Sequence, residues 1–147
     1  MLRRKGVAQA DAYVRDMREL FRRMLFNILI DNTDDHEKNH ALIVREREQY
    51  ELAPAFDVLP SGQALGFQQM RVGEQAADAT VANALSMSAQ FGLKKDEAVQ
   101  EARVVARVVG AWKEHFTACG VTAADIELYA EQIDRPFLRD QREEASR

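Results

Sequence analysis

The sequence predicts a mainly α-helical fold with one small β-hairpin near its middle. Three observations carry that expectation. Residues 11–31 place Tyr13, Met17, Leu20, Phe21, Met24 and Ile28 at three- and four-residue steps, the repeat of a helix face. Residues 41–44 and 50–52 are short strand-forming runs joined by a charged turn over 45–49. Ala98, Ala102, Val105, Val109, Trp112, Phe116 and Cys119 then alternate four- and three-residue steps, which predicts one long helix from Asp96 to Ala118 with a core-facing stripe.

The elements follow in order. In the first helix Glu19 stands four residues before Arg23, a pairing that supports an exposed face. Beyond Met24 apolar residues occupy every side, so this end is expected to be buried. Asp31 is read as the end of the helix. Pro54 and Pro60 bracket an irregular segment after the hairpin, and residues 64–72 are expected to hold one further short strand. Asp78 or Thr80 caps a helix running to about Gln90, with Gly92 as its stop. Gly120 ends the long helix. Thr122 caps a last helix that turns Ile126, Tyr129, Ala130 and Ile133 inward. Residues 1–10 and the charged tail 136–147 are expected to be flexible ends of a single domain spanning 1–147.

Composition narrows the function. A chain of 147 residues suits one domain with a real core. Twenty basic against 24 acidic residues give a net charge of −4, which argues against a broad nucleic-acid surface. The single cysteine, Cys119, allows no internal disulfide and fits a reducing compartment. The basic start Arg3-Arg4-Lys5 is not followed by an apolar stretch, so no signal peptide is read. The most apolar run, Met24 to Ile30, is far short of the roughly 20 residues a membrane span needs. A cytoplasmic protein without membrane contact is the expectation.

Chemistry concentrates in one place. Asp31-Asn32-Thr33-Asp34-Asp35-His36-Glu37-Lys38-Asn39-His40 holds no large apolar side chain. Phosphoryl transfer needs a carboxylate to orient an acceptor hydroxyl and take its proton. It also needs oxygen ligands that hold metal ions against the phosphates. Protein kinases meet both needs with an Asp, an Asn five residues on, and a second Asp beyond a short hairpin. Asp34, Asn39 and Asp57 stand in that order, with the expected hairpin between the last two. The Asp–Asn spacing alone is weak, since Asp78 and Asn83 repeat it at a helix start.

The run from Asn32 to His40 closely resembles the catalytic loop of HipA-like kinases. Leu52-Ala53-Pro54-Ala55-Phe56-Asp57-Val58-Leu59-Pro60 resembles their metal-binding segment, an aromatic-Asp pair after Leu-x-Pro. Phe26-Asn27, Asn32, Phe91-Gly92-Leu93 and Trp112 fit the same pattern, so the resemblance spans roughly residues 10–130. It implies the helical C-lobe of a HipA/protein-kinase-like fold. By resemblance Asp34 is the catalytic base, and Asn39 and Asp57 hold Mg2+; Lys38, which can reach a phosphate, and His36 are read as the residues that bind ATP. It further implies a bacterial, cytoplasmic toxin that phosphorylates protein Ser or Thr and is neutralised by a helix-turn-helix antitoxin. The family's N-lobe brings a phosphate-covering loop and an ATP-pairing lysine. The seven glycines here form no G-x-G-x-x-G, and Met1 stands ten residues before the first helix. The expectation is therefore a C-lobe that is inactive until the N-lobe is supplied in cis or in trans.

Two other classes remain open on sequence. A non-catalytic helical module would bind an antitoxin or a partner lobe. A metal-dependent hydrolase would use Asp34, Asp35, His36 and His40, since carboxylates and imidazoles at that spacing bind transition metals. The plainer readings have His36 orienting the loop, His40 starting the strand, Asp35 and Glu37 solvated, Trp112 in the core and Cys119 inert at the end of the apolar stripe.

Overall fold

A computed structural model describes residues 10–45 and 49–147. Among these are six α-helices and one two-stranded antiparallel sheet. The expected mainly α architecture with a small central hairpin is what the chain adopts.

Helix α1 (Ala10–Leu29) is the spine. Its inward stripe runs through Phe21, Leu25, Ile28 and Leu29, all fully or almost fully buried. The ring of Phe21 meets that of Phe91 at 5.2 Å, in a tilted pair. The all-round apolar end is buried as expected, through Asn27 to Asp31. Strands β1 (Leu42–Arg45) and β2 (Gln49–Leu52) pair in register, with Leu42 opposite Leu52 and Val44 opposite Tyr50. The turn residues 46–48 of the expected hairpin and residues 1–9 of the expected flexible start lie outside the described residues.

Polar contacts fasten the hairpin and its exit to α1. The buried Asp16 carboxylate accepts the Leu52 N–H at 2.8 Å. Arg23, paired with Glu19 at 2.9 Å, also donates to the Ala53 carbonyl at 2.9 Å. The chain that leaves β2 towards Asp57 thus departs from a fixed point.

Helix α2 (Val81–Ser86) starts at Thr80, whose hydroxyl accepts the Asn83 N–H. It gives way to a 3-10 turn over Ser88–Phe91, which Gly92 closes at φ 72°. The strand expected over 64–72 does not form. Instead the loop from Gly66 to Ala79 folds on itself, with single bridges Phe67 to Asp78 and Gly73 to Ala76. Gly73 belongs where it is: a Cβ there would stand 1.9 Å from the Asn83 carbonyl oxygen.

The expected long helix is two. Helix α3 (Lys95–Gly110) buries Ala98, Ala102, Val105, Ala106 and Val109 against α1. Glu97 reaches back to the Lys94 N–H at its start. Its Glu101 is buried between α1 and α3, where Arg22 and Arg18 pair with it. Hydrogen bonding to Glu101, and secondarily the charge of Glu101 and Glu19, raise the Arg22 pKa against the opposing effect of burial. At Ala111 the backbone leaves the helix, at φ −94° and ψ 19°. Glycine at position 110, which favours helix interruption, precedes the break. Helix α4 (Trp112–Ala118) therefore carries Trp112 and Phe116 away from α1 into a second cluster with Ile126 and Ile133 of α5 (Ala123–Ile133). Cys119 consequently ends the stripe exposed rather than inward. Thr122 caps α5 as read, and Tyr129 is largely exposed.

The tail does not fray. Pro136 opens helix α6 (Pro136–Ser146) at the position where a missing N–H costs nothing. Leu138 is completely buried. Arg142, also buried, donates to the Leu29 and Ile133 carbonyls at 3.3 and 2.6 Å and to Asp134 at 2.8 Å. Gln141 accepts the Val81 N–H at 2.8 Å and so completes the start of α2. Charge made the tail look loose, but Gln141 and Arg142 are internal fastenings.

Candidate functional site

The polar run begins two residues past α1 with Asp31, which adopts φ 61°. Aspartate tolerates this left-handed backbone better than most residues. Asp31 is only 3% exposed, and both its carboxylate and its carbonyl are engaged. Its carboxylate accepts the Ala64 N–H at 2.9 Å and Arg135 Nη1 at 3.0 Å. Its carbonyl accepts the Ser61 N–H at 3.0 Å and the Ser61 hydroxyl at 2.8 Å. Arg135 Nη2 also donates to the Gly62 carbonyl at 2.6 Å. Thr33 and Ser61 share a hydroxyl contact of 2.6 Å. Asn32 is held by Asn27, side chain to side chain at 3.2 Å and backbone to backbone at 2.9 Å. Asp31 thus does far more than end the helix: it ties the polar loop to the segment that follows Asp57.

The consequence is one shared cavity. Asn32, Asp34, Asp57, Leu59, Pro60, Ser61 and Gln63 line a recess of about 200 Å³. Asp34 and Asp57, 23 positions apart, are both exposed there, and Asp57 is held at φ 56°. Asn39 lies in a 3-10 turn over Glu37–Asn39, buried, with its N–H bonded to the His36 carbonyl at 2.9 Å. Among the described residues no hydrogen bond engages its side-chain amide. It is not one of the cavity's lining residues. Lys38 is exposed. His36 is half-buried, and its Nδ1 has no partner among the described residues, so no hydrogen bond of that atom orients the loop.

Asp35 departs from the solvated role read for it. It is buried, and His40 Nε2 contacts its carboxylate at 3.0 Å. That pair faces away from Asp34: Asp35 and His40 line a different cavity, with Leu20, Met24 and Gln68. Of the four residues of the hydrolase reading, Asp34 lines one recess, Asp35 and His40 line another, and His36 lines neither. Among the described residues no three or more His, Cys, Asp or Glu side chains gather as a metal site. Of the two residues expected to hold Mg2+, Asp57 lines the recess with Asp34 and Asn39 does not.

Sequence reading missed Asp31, Ser61 and Arg135. An acidic residue directly after an apolar helix end was the available sign for Asp31. Arg135 had none, because its partner lies 104 residues away. No helix among the described residues is long and apolar enough to cross a membrane.

These features define a helical domain whose polar loop and post-hairpin segment share one recess, pinned by a buried carboxylate. A family model for the HipA-like C-terminal domain matches residues 2–112. The chain belongs to the HipA-like C-terminal domain family. No curated protein and no solved structure matches it.

Proposed function

We propose that this chain is the catalytic lobe of a bacterial HipA-type protein serine/threonine kinase, acting in the cytoplasm. The observation that carries the reading is the common recess of Asp34 and Asp57, reached from two segments that Asp31 and Arg135 hold together. Asp34 is exposed, so an acceptor hydroxyl has access to it, and it takes that proton as general base. Asn39 and Asp57 hold Mg2+, which neutralises charge on the phosphates when bound. Lys38 and His36 lie on the same loop, Lys38 exposed and His36 half-buried. An N-lobe, in cis or in trans, supplies the donors that clamp ATP. The family's association with toxins makes a helix-turn-helix antitoxin the expected regulator.

A second reading, a non-catalytic binding lobe, draws on the same surface. Phe56, Val58, Leu59, Leu65 and Phe67 are exposed large apolar side chains of the segment after the hairpin, and Leu59 lines the recess. Exposed apolar surface favours a docked partner. On the kinase reading that partner is the N-lobe. Titration with manganese–ATP in the presence of a family N-lobe, fused or added, separates the two readings. Paramagnetic broadening centred on Asn39 and Asp57, lost in Asp57→Ala, supports the kinase. Broadening elsewhere, or none, leaves only the binding lobe.

A further inference from the structure

Asp34 and Asp57 line one recess, yet among the described residues no hydrogen bond engages either carboxylate. Their relative placement therefore rests on the chain segments that carry them. Those segments meet at one oxygen. The Ser61 hydroxyl donates to the Asp31 carbonyl at 2.8 Å. With its hydrogen committed there, Ser61 Oγ is the acceptor in the 2.6 Å contact with Thr33, and the Thr33 hydroxyl is the donor. The Gln63 N–H approaches the same oxygen at 3.4 Å. A hydroxyl has one hydrogen to give and two lone pairs to accept with, so Ser61 Oγ is fully occupied.

The order of the chain gives this junction its consequence. Thr33 directly precedes Asp34, and Ser61 follows Asp57 by four residues, just after Pro60. The other direct hydrogen bonds between the two segments start from Asp31, further from the base, and reach Ser61 and Ala64. Thr33 is 2% exposed and is not one of the residues lining the recess. Its hydroxyl serves Ser61 rather than solvent. Asp57 stands at φ 56°, a backbone state that persists only where the surrounding chain holds it.

We propose that Thr33 and Ser61 are a positioning pair for phosphoryl transfer: the hydrogen bond between them ties the backbone in front of Asp34 to the segment of Asp57, and so sets the base against the metal ligand. The inference rests on the kinase reading of the recess. Neither hydroxyl moves a proton in the reaction; Asp34 does, and the pair acts through it. Rate is steep in such placement, since a shift of about 1 Å costs on the order of a hundredfold.

The test is radiolabel transfer from ATP to a Ser- or Thr-bearing protein by the full chain with a family N-lobe fused or added. Thr33→Val, close in shape without the hydroxyl, should lower kcat about ten- to a hundredfold. The KM for ATP should stay within about threefold, because the donors that clamp ATP lie on the N-lobe. Ser61→Ala should behave alike, and the double variant should be slower than Ser61→Ala by no more than about twofold, because both changes remove one shared contact. Thr33→Ser, which keeps the hydroxyl, should restore transfer. A merely structural role predicts a lower unfolding midpoint with kcat per folded chain unchanged. Full transfer by Thr33→Val, with Asp34→Asn inactive, would overturn the pair and leave the kinase reading intact. So would losses that multiply in the double variant, or Thr33→Ser as slow as Thr33→Val. If Thr33→Val does not fold, Ser61→Ala and Thr33→Ser decide in its place. No transfer by the parent chain with the lobe would overturn the kinase reading, and the pair with it.

Discussion

The guanidinium of Arg135, at the corner between α5 and α6, stands 3.0 Å from the buried carboxylate of Asp31 at the mouth of the polar loop. The same side chain donates to the Gly62 carbonyl. One planar fork thus holds the start of the loop and the strand of chain beyond Asp57. Arg135 lies outside the stretch 2–112 that the family model covers.

Arg135→Ala should therefore cost about 2–3 kcal/mol, the range for losing hydrogen bonds to a buried charge. Arg135→Lys should recover little, because a point charge does not reach both acceptors. Urea unfolding midpoints measure both. A loss below about 0.5 kcal/mol for the alanine variant would mean that the loop is held elsewhere.

Trp112 anchors the second cluster. Its ring meets Phe116 edge-on at 5.2 Å, and its indole N–H donates to Asp134 at 3.0 Å. Trp112→Ala should cost about 3–5 kcal/mol, as for other large core aromatics. Phe21→Ala, in the main core, should cost a similar amount, and the two losses should add, since the residues belong to different clusters.

Asp134 sets a pH dependence. Burial opposes its ionisation, but Trp112, Lys113 and Arg142 outweigh that and hold its pKa below the ordinary 3.8. A depressed carboxylate stabilises the fold above the unfolded-state value and loses that contribution as pH falls through the folded one. Asp134→Asn should thus be less stable than the parent near neutrality, with the gap closing in acid below 3.8. Unfolding midpoints across that range check it; a gap that does not change with pH contradicts it.

Gly73→Ala should destabilise by about 1–3 kcal/mol, because the new methyl collides with the Asn83 carbonyl of α2 and the backbone must move. Thermal unfolding reads this directly. A neutral result would show that the 66–79 loop shifts freely.

Periodicity and punctuation made much of this fold legible. The α1 stripe, the hairpin, the Thr80 and Thr122 caps and the Gly92 stop all rest on local chemistry, and all appear. The break at Ala111 was hidden because the apolar steps continue through it; only packing decides that Trp112 joins α5 instead of α1. Helix α6 was hidden because Arg142 and Gln141 read as solvent-facing, whereas they satisfy buried backbone groups far away in sequence. At the site, the spacing of Asp34 and Asp57 was visible and their common recess follows it. Burial of Asp35 and Gln68 was not, since nothing in a polar run marks which member turns inward.

The central claim is that Asp34 is the base of a phosphoryl-transfer site. The direct measurement is radiolabel transfer from ATP to a Ser- or Thr-bearing protein, with the chain alone and with a family N-lobe fused or added. Transfer should be negligible for the chain alone and should appear with the lobe. Asp34→Asn should then reduce it by about a hundredfold or more while leaving the unfolding curve unchanged. Undiminished transfer by Asp34→Asn in the presence of the lobe would contradict the account.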